Sequence, residues 1–190
     1  VPTTFPNPTS LLLKPLALGQ FYIALVALSR QRTPGWMLPT AMVLSVMAAL
    51  SKPNFAIAFV PALIVVMAFM WRRQEWDRKV LMVGIVLPTL VVMAGQYLIL
   101  TETRGGIVFQ MWGWVRIYDG SRRTILIKLL SSVAFPAFMS LILYRFLLQP
   151  RYMLTALTFA AGLIQNYTLV ETTDPNAGNF AWGVQIGLLL

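Results

Sequence analysis

The sequence contains no cysteine and no histidine. Without cysteine there is no disulfide, no thiolate metal site and no thiol nucleophile. Without histidine the commonest general base and metal ligand is missing. A haem site, a zinc hydrolase and a Ser–His triad are therefore excluded within this chain. Charge is also scarce: 15 Lys and Arg and 6 Asp and Glu make up 11% of 190 residues. Soluble domains carry about 25% charged residues. Twenty-one ionic side chains, the sum of 15 and 6, cannot cover a globule of this size. A soluble enzyme, a disordered tail and a secreted disulfide scaffold are excluded together.

What fills the chain instead is apolar: 58% hydrophobic residues, with a mean hydropathy of +0.72. The expected fold class is all-α, a polytopic transmembrane helical bundle of about six spans plus a truncated seventh. The whole chain, 1–190, reads as one membrane domain. The spans are expected at 11–29, 36–50, 54–70, 80–100, 124–148, 152–169 and 181–190. Pro15, Pro39, Pro61, Pro88 and Pro136 fall inside these runs, which membrane helices tolerate where neighbours satisfy the backbone. Pro53 suits the first turn of a helix, where its missing N–H costs nothing. The chain opens on Val1 with no signal-peptide pattern and stops within an apolar run, so a fragment of a longer protein is expected.

Lys and Arg set the expected orientation. If residues 36–70 cross twice, Arg30, Arg32, Arg72, Arg73, Arg78, Lys79, Arg145 and Arg151 share one side, a count of eight. Lys52, Arg104, Arg116, Arg122 and Arg123 share the other, a count of five, and Lys14 with Lys128 would raise it to seven. A single crossing would split the loop charges six and six, so the double crossing fits the positive-inside rule better. The first side is then cytoplasmic. Glu102, Asp119, Glu171 and Asp174 collect on the outer side, whereas Glu75 and Asp77 lie among basic neighbours on the inner one.

Several residues on the outer side could carry chemistry. Residues 105–120 are apolar and too short to span, with Trp112, Trp114 and Tyr118 suited to the headgroup layer. An interfacial amphipathic segment is expected there, either a plain connector or a lid over a lipid-linked substrate. As a lid it would let Arg116, Arg122 and Arg123, with Arg104, grip a phosphate through guanidinium pairs; their plain role is to flank the fifth span. Lys14 either snorkels or contributes to the same face. Lys52, between two short helices, either complements carbonyls at a helix end or meets an anionic headgroup. Glu171 and Asp174 are the catalytic candidates. A partly buried carboxylate can act as a base or hold a hard divalent cation, and a simply solvated one does neither. Their spacing fits no calcium loop, so no metal is assigned; no cofactor is expected within the chain, with a divalent cation left open. Membrane lipid is the expected partner, with no nucleic acid, because the basic residues sit between apolar runs.

Four stretches together carry a resemblance: Asn7-Pro8-Thr9; Ala49-Leu50-Ser51-Lys52-Pro53-Asn54-Phe55 followed by Phe59-Val60-Pro61-Ala62-Leu63; Lys128-Leu129-Leu130-Ser131-Ser132-Val133-Ala134-Phe135-Pro136; and Glu171 followed by Gly178-Asn179-Phe180-Ala181-Trp182-Gly183. The pattern resembles bacterial multi-span proteins similar to the GT-C glycosyltransferases, which use polyprenyl-phosphate sugars. The resemblance implies sugar transfer from a lipid-phosphate donor on the extracytoplasmic face of the bacterial inner membrane. It also implies a catalytic carboxylate in a first outer loop, which would precede Val1. Lys52 and Arg122 would then bind the donor phosphate or shape its cavity. The rival readings are a transporter or flippase for an anionic or lipid-linked substrate, and a non-catalytic membrane subunit.

Overall fold

A computed structural model describes residues 8–72, 76–102, 107–109, 122–142, 144–146 and 148–171. These residues are overwhelmingly helical. Helix α1 spans Pro8–Leu28, α2 Met37–Ser51 and α3 Pro53–Phe69. A π-helical segment, Val80–Val86, runs directly into α4, Leu87–Glu102. Strand β1, Ile107–Phe109, precedes α5, Arg122–Ile142, and a 3-10 turn at Tyr144–Phe146. Helix α6, Pro150–Thr168, leads into β2, Leu169–Glu171. The seventh expected span, 181–190, lies outside the described residues.

The direction of each helix follows from a few contacts. Gln20 of α1 donates to Ser45 of α2 at 3.1 Å. The loop after α1 is bonded to the loop after α3: the Asp77 N–H donates to Ala27 O at 2.8 Å, and the Thr33 N–H to Asp77 Oδ2 at 2.9 Å. Helices α1 and α3 therefore end at one pole of the bundle, and α2 begins there. Residues 36–70 form a helical hairpin that reverses at Lys52, so Lys52 marks the opposite pole. Helix α4 leaves the Asp77 pole and reaches the Lys52 pole, where Gln96 Nε2 donates to Ala49 O at 3.2 Å. Strand β1 follows five residues after Glu102 and pairs antiparallel with β2, Ile107 opposite Glu171 and Phe109 opposite Leu169. The C-terminal end of α6 thus lies at the Lys52 pole. Because α6 packs along α3, its N-terminal end points toward the Asp77 pole.

The core is built on α3, whose Phe55, Phe59, Leu63 and Val66 are fully buried. Phe55 and Phe59 stack at 5.0 Å between ring centres, and Phe21 of α1 closes on Phe59 at 6.0 Å. Helix α6 packs along α3 with a stripe of Leu154, Thr158, Gly162 and Gln165, spaced to fall on one helical face. Most other helix surfaces are apolar and exposed, among them Tyr22, Val43, Val65, Val91, Leu98, Leu141 and Ile164. One helix among the described residues, Val80–Ile99, is long and apolar enough to cross a membrane, with a mean hydropathy of 1.9 over its window. Helices α2 and α3 have 15 and 17 residues, about 22 and 25 Å of rise, short of a 30 Å hydrocarbon core.

Two expectations need correction. Residues 107–109 of the expected interfacial helix are a strand: β-branched Ile107 and Val108 lie opposite Glu171 and Val170, and this ladder satisfies their backbone. The rest of 105–120 lies outside the described residues, apart from 107–109. The fifth helix ends at Ile142, not at 148, because the chain tightens into the 3-10 turn and Pro150 opens the next helix. Close packing is sharpest where the π-helical segment crosses α2. A Cβ on Gly84 would lie 2.9 Å from the Ala41 Cβ, whereas one on Gly95 meets nothing within 4 Å. Ala41 is short and backbone-anchored and cannot give way. Gly84→Ala is therefore expected to destabilise by about 1–3 kcal/mol, while Gly95→Ala leaves stability unchanged or raises it slightly. Thermal unfolding of the purified protein in detergent measures both; equal melting temperatures for the two variants would refute the close crossing.

Candidate functional site

Among the described residues, two groups of polar side chains mark the two poles of the bundle. At the Lys52 pole, α2 and α3 meet with no loop between them. Lys52 has extended backbone angles, φ −159° and ψ 122°, and serves both as the C-cap of α2 and as the N-cap of α3. Its N–H donates to Ala48 O at 3.1 Å, and Pro53 takes the first position of α3. The break is dictated locally, because the residue before a proline is pushed out of the helical region. Its consequence is that a lysine is only 9% exposed. An enclosed ammonium holds its charge only against oxygen ligands or an anion.

Neighbouring elements add polar groups at the same level. Asn54, one residue beyond Pro53, is buried. Lys14 lies six residues before Gln20 on α1, and α1 runs antiparallel to α2 through Gln20–Ser45. That register puts Lys14 at the height of Ser51. Gln96 of α4 reaches Ala49 O through its amide nitrogen, while its Oε1 has no partner. Gln165 of α6, one turn from the helix end, is 4% exposed, and neither amide atom has a partner. Strand β2 then brings Glu171 to this pole, opposite Ile107. Helix α5 begins at Arg122 and Arg123, and the Tyr144–Phe146 turn that follows it lies against the start of α6, with Phe146 5.8 Å from Tyr152. The fold therefore directs Lys52 and Glu171 to one pole, while Arg122 and Arg123 open α5. Arg104, Arg116 and Asp174 lie outside the described residues.

Sequence reasoning missed the amides. Each apolar run of α1, α4 and α6 carries one glutamine that faces protein, Gln20, Gln96 and Gln165, and a lone amide in such a run was the available signal. It also missed how Asp77 is used. The Asp77 carboxylate does not rely on its basic sequence neighbours. It accepts from the Thr33 N–H at 2.9 Å, the Thr33 hydroxyl at 2.8 Å and the Val80 N–H at 3.2 Å. The last bond caps the helix that starts at Val80. Beside it the buried Trp76 indole donates to Met70 O at 3.1 Å.

The described residues contain no group of three or more acidic side chains that could hold a metal ion. The chain matches no family model, no curated protein and no solved structure.

Burial alone would raise the Asp77 pKa. The bonds from Thr33, Val80 and the Lys79 N–H outweigh burial and bring it below the ordinary aspartate value. A depressed carboxyl stabilises the fold above the unfolded-state pKa and loses that contribution as pH falls through the folded-state pKa. The tie between the two loops is thus expected to hold at neutral pH and to weaken below about pH 4. Asp77→Asn and Thr33→Val should each lower the melting temperature at pH 7, and the double variant should lose less than the sum of the two. Additive losses, or acid sensitivity unchanged in Asp77→Asn, would refute the tie.

Proposed function

We propose that this chain is the helical core of a polytopic membrane protein that takes an anionic, lipid-linked substrate at the Lys52 pole. The enclosed Lys52 carries this reading. A buried lysine at a helix break, with Lys14 at its level, is an arrangement that suits a phosphate headgroup. The lipid setting is supported by the exposed apolar faces of the helices. Only 22% of the Val80–Ile99 window is buried, unlike the core helix of a water-soluble fold. Helices shorter than the hydrocarbon core fit by thinning the bilayer or by flanking side chains reaching the interface.

The reaction we propose is the one the resemblance to GT-C glycosyltransferases implies, transfer of a sugar from a lipid-phosphate donor on the extracytoplasmic face. Such a transfer needs a base for the acceptor hydroxyl and stabilisation of the departing phosphate. Lys52 and Arg122 are assigned to the phosphate. Glu171 is the candidate carboxylate on the same pole. A second reading, a transporter or flippase for such a lipid, is favoured by the unpartnered Thr158 and Gln165 on α6, since a polar stripe inside a bundle suits a passing headgroup.

The test uses the full-length protein with labelled polyprenyl-phosphate sugars. Lys52→Ala and Arg122→Ala are expected to weaken donor binding about tenfold or more, the scale of a lost charge-assisted contact, with the melting temperature retained. Labelled product marks a transferase. Movement of the intact donor across proteoliposomes without product marks a flippase. Unchanged donor binding in both variants would reject the phosphate assignment.

A further inference from the structure

We propose that the Asp77 pole is a docking collar for the anionic phospholipid headgroups of the leaflet it faces. The inference rests on the membrane reading above and concerns the pole opposite Lys52. Three arginines there lie over aromatic rings. Arg78 sits 4.9 Å from the Trp71 ring and 5.1 Å from the Trp76 ring. Arg145 lies 5.6 Å from Tyr144, and Arg151 5.1 Å from Tyr152. Stacking on a ring fixes a guanidinium while leaving edge N–H groups to donate. A fixed planar fork matches two phosphate oxygens and loses little freedom on binding.

The charge of these arginines is not cancelled by what they touch. Arg78 donates to Trp71 O at 3.3 Å, Arg145 to the Tyr144 hydroxyl at 2.9 Å, and Arg151 to Gln149 Oε1 at 3.0 Å. All three acceptors are neutral. Asp77, the one acid at this pole among the described residues, is engaged by Thr33 and backbone N–H groups. Arg30, Arg32 and Lys79 add exposed positive charge around it.

The mixture of chemistry at this pole selects the partner. Cations occupy the tip. Exposed aromatics, Trp36, Trp71 and Tyr144, sit among them, and exposed apolar side chains such as Phe69 and Leu148 lie beside them. A leaflet presents headgroup, interface and acyl chain next to one another, so it can use all three. A nucleic acid or an acidic protein would meet the cations but would leave the adjoining aromatics and apolar walls unused.

The experiment titrates the full-length protein in detergent with phosphatidylglycerol and with phosphatidylcholine and counts bound lipids by native mass spectrometry. Tighter binding of phosphatidylglycerol is expected. The double variant Arg145→Gln, Arg151→Gln should weaken it about tenfold with phosphatidylcholine unaffected; both side chains are exposed and rest on neutral partners, so the fold tolerates the change. Tyr22→Phe, on the exposed face of α1 and outside both poles, should leave it intact. Equal affinity for the two lipids, or an unchanged double variant, overturns the collar. So does displacement of phosphatidylglycerol by polyglutamate at equal charge, which would make the partner a soluble acidic protein. Failure to insert into vesicles of either lipid removes the membrane reading and the collar with it. Insertion into both without preference removes the collar alone.

Discussion

The carboxylate of Asp77 gathers hydrogen bonds from Thr33 and from the start of the helix at Val80, and the N–H of the same residue reaches back to Ala27. One residue thus joins the loop after α1, the loop after α3 and the first turn of the helix leading into α4. The segment 29–36 and the residues around Asp77 are held together, so α1 and α3 must run in the same direction and α2 must return between them. Lys52 is thrown to the far pole by that constraint alone. The chemistry proposed for Lys52 is therefore positioned from the other end of the molecule.

The second constraint is the shortage of ionic side chains. With few charges, most helix surface is apolar, and the backbone polar groups must be satisfied within helices. Where the helical pattern breaks, the chain supplies a specific remedy: Pro53 without an N–H, the strand pair at 107–109 and 169–171, and the hydroxyl of Thr89 bonded to Ile85 O at 2.7 Å beside the π-helical segment. The buried polar atoms without partners, on Gln20, Gln96, Thr158 and Gln165, stand outside this economy. An unsatisfied buried group costs about 1–3 kcal/mol, so their cluster on α6 and near the Lys52 pole is where a polar ligand would be most stabilising.

The helices were legible because long apolar runs bounded by Arg, Pro and polar residues allow few other structures. The reversal at Lys52 was legible in Ser51-Lys52-Pro53, where proline ends one helix and starts the next. The short ribbon was not, since three-residue strands 60 positions apart leave no periodic signal. Nor was the π-helical segment, whose wide turn brings Gly84 against Ala41 and depends on tertiary packing. Asp77 was misread as one charge among basic neighbours, because its partner Thr33 is 44 residues away. At the candidate site, Lys52 stood out as a cation between apolar runs, while Gln165 became visible only once α6 had been laid on α3.

A chain without cysteine offers a direct measurement of the central claim, that the two poles face opposite sides of a membrane. Single substitutions Ser51→Cys, Arg32→Cys and Gln149→Cys can be labelled in intact cells with a maleimide that does not cross lipid. Ser51→Cys is expected to react from outside, and Arg32→Cys and Gln149→Cys only after the membrane is opened. Labelling of all three from the same side, or without regard to membrane integrity, would contradict the account.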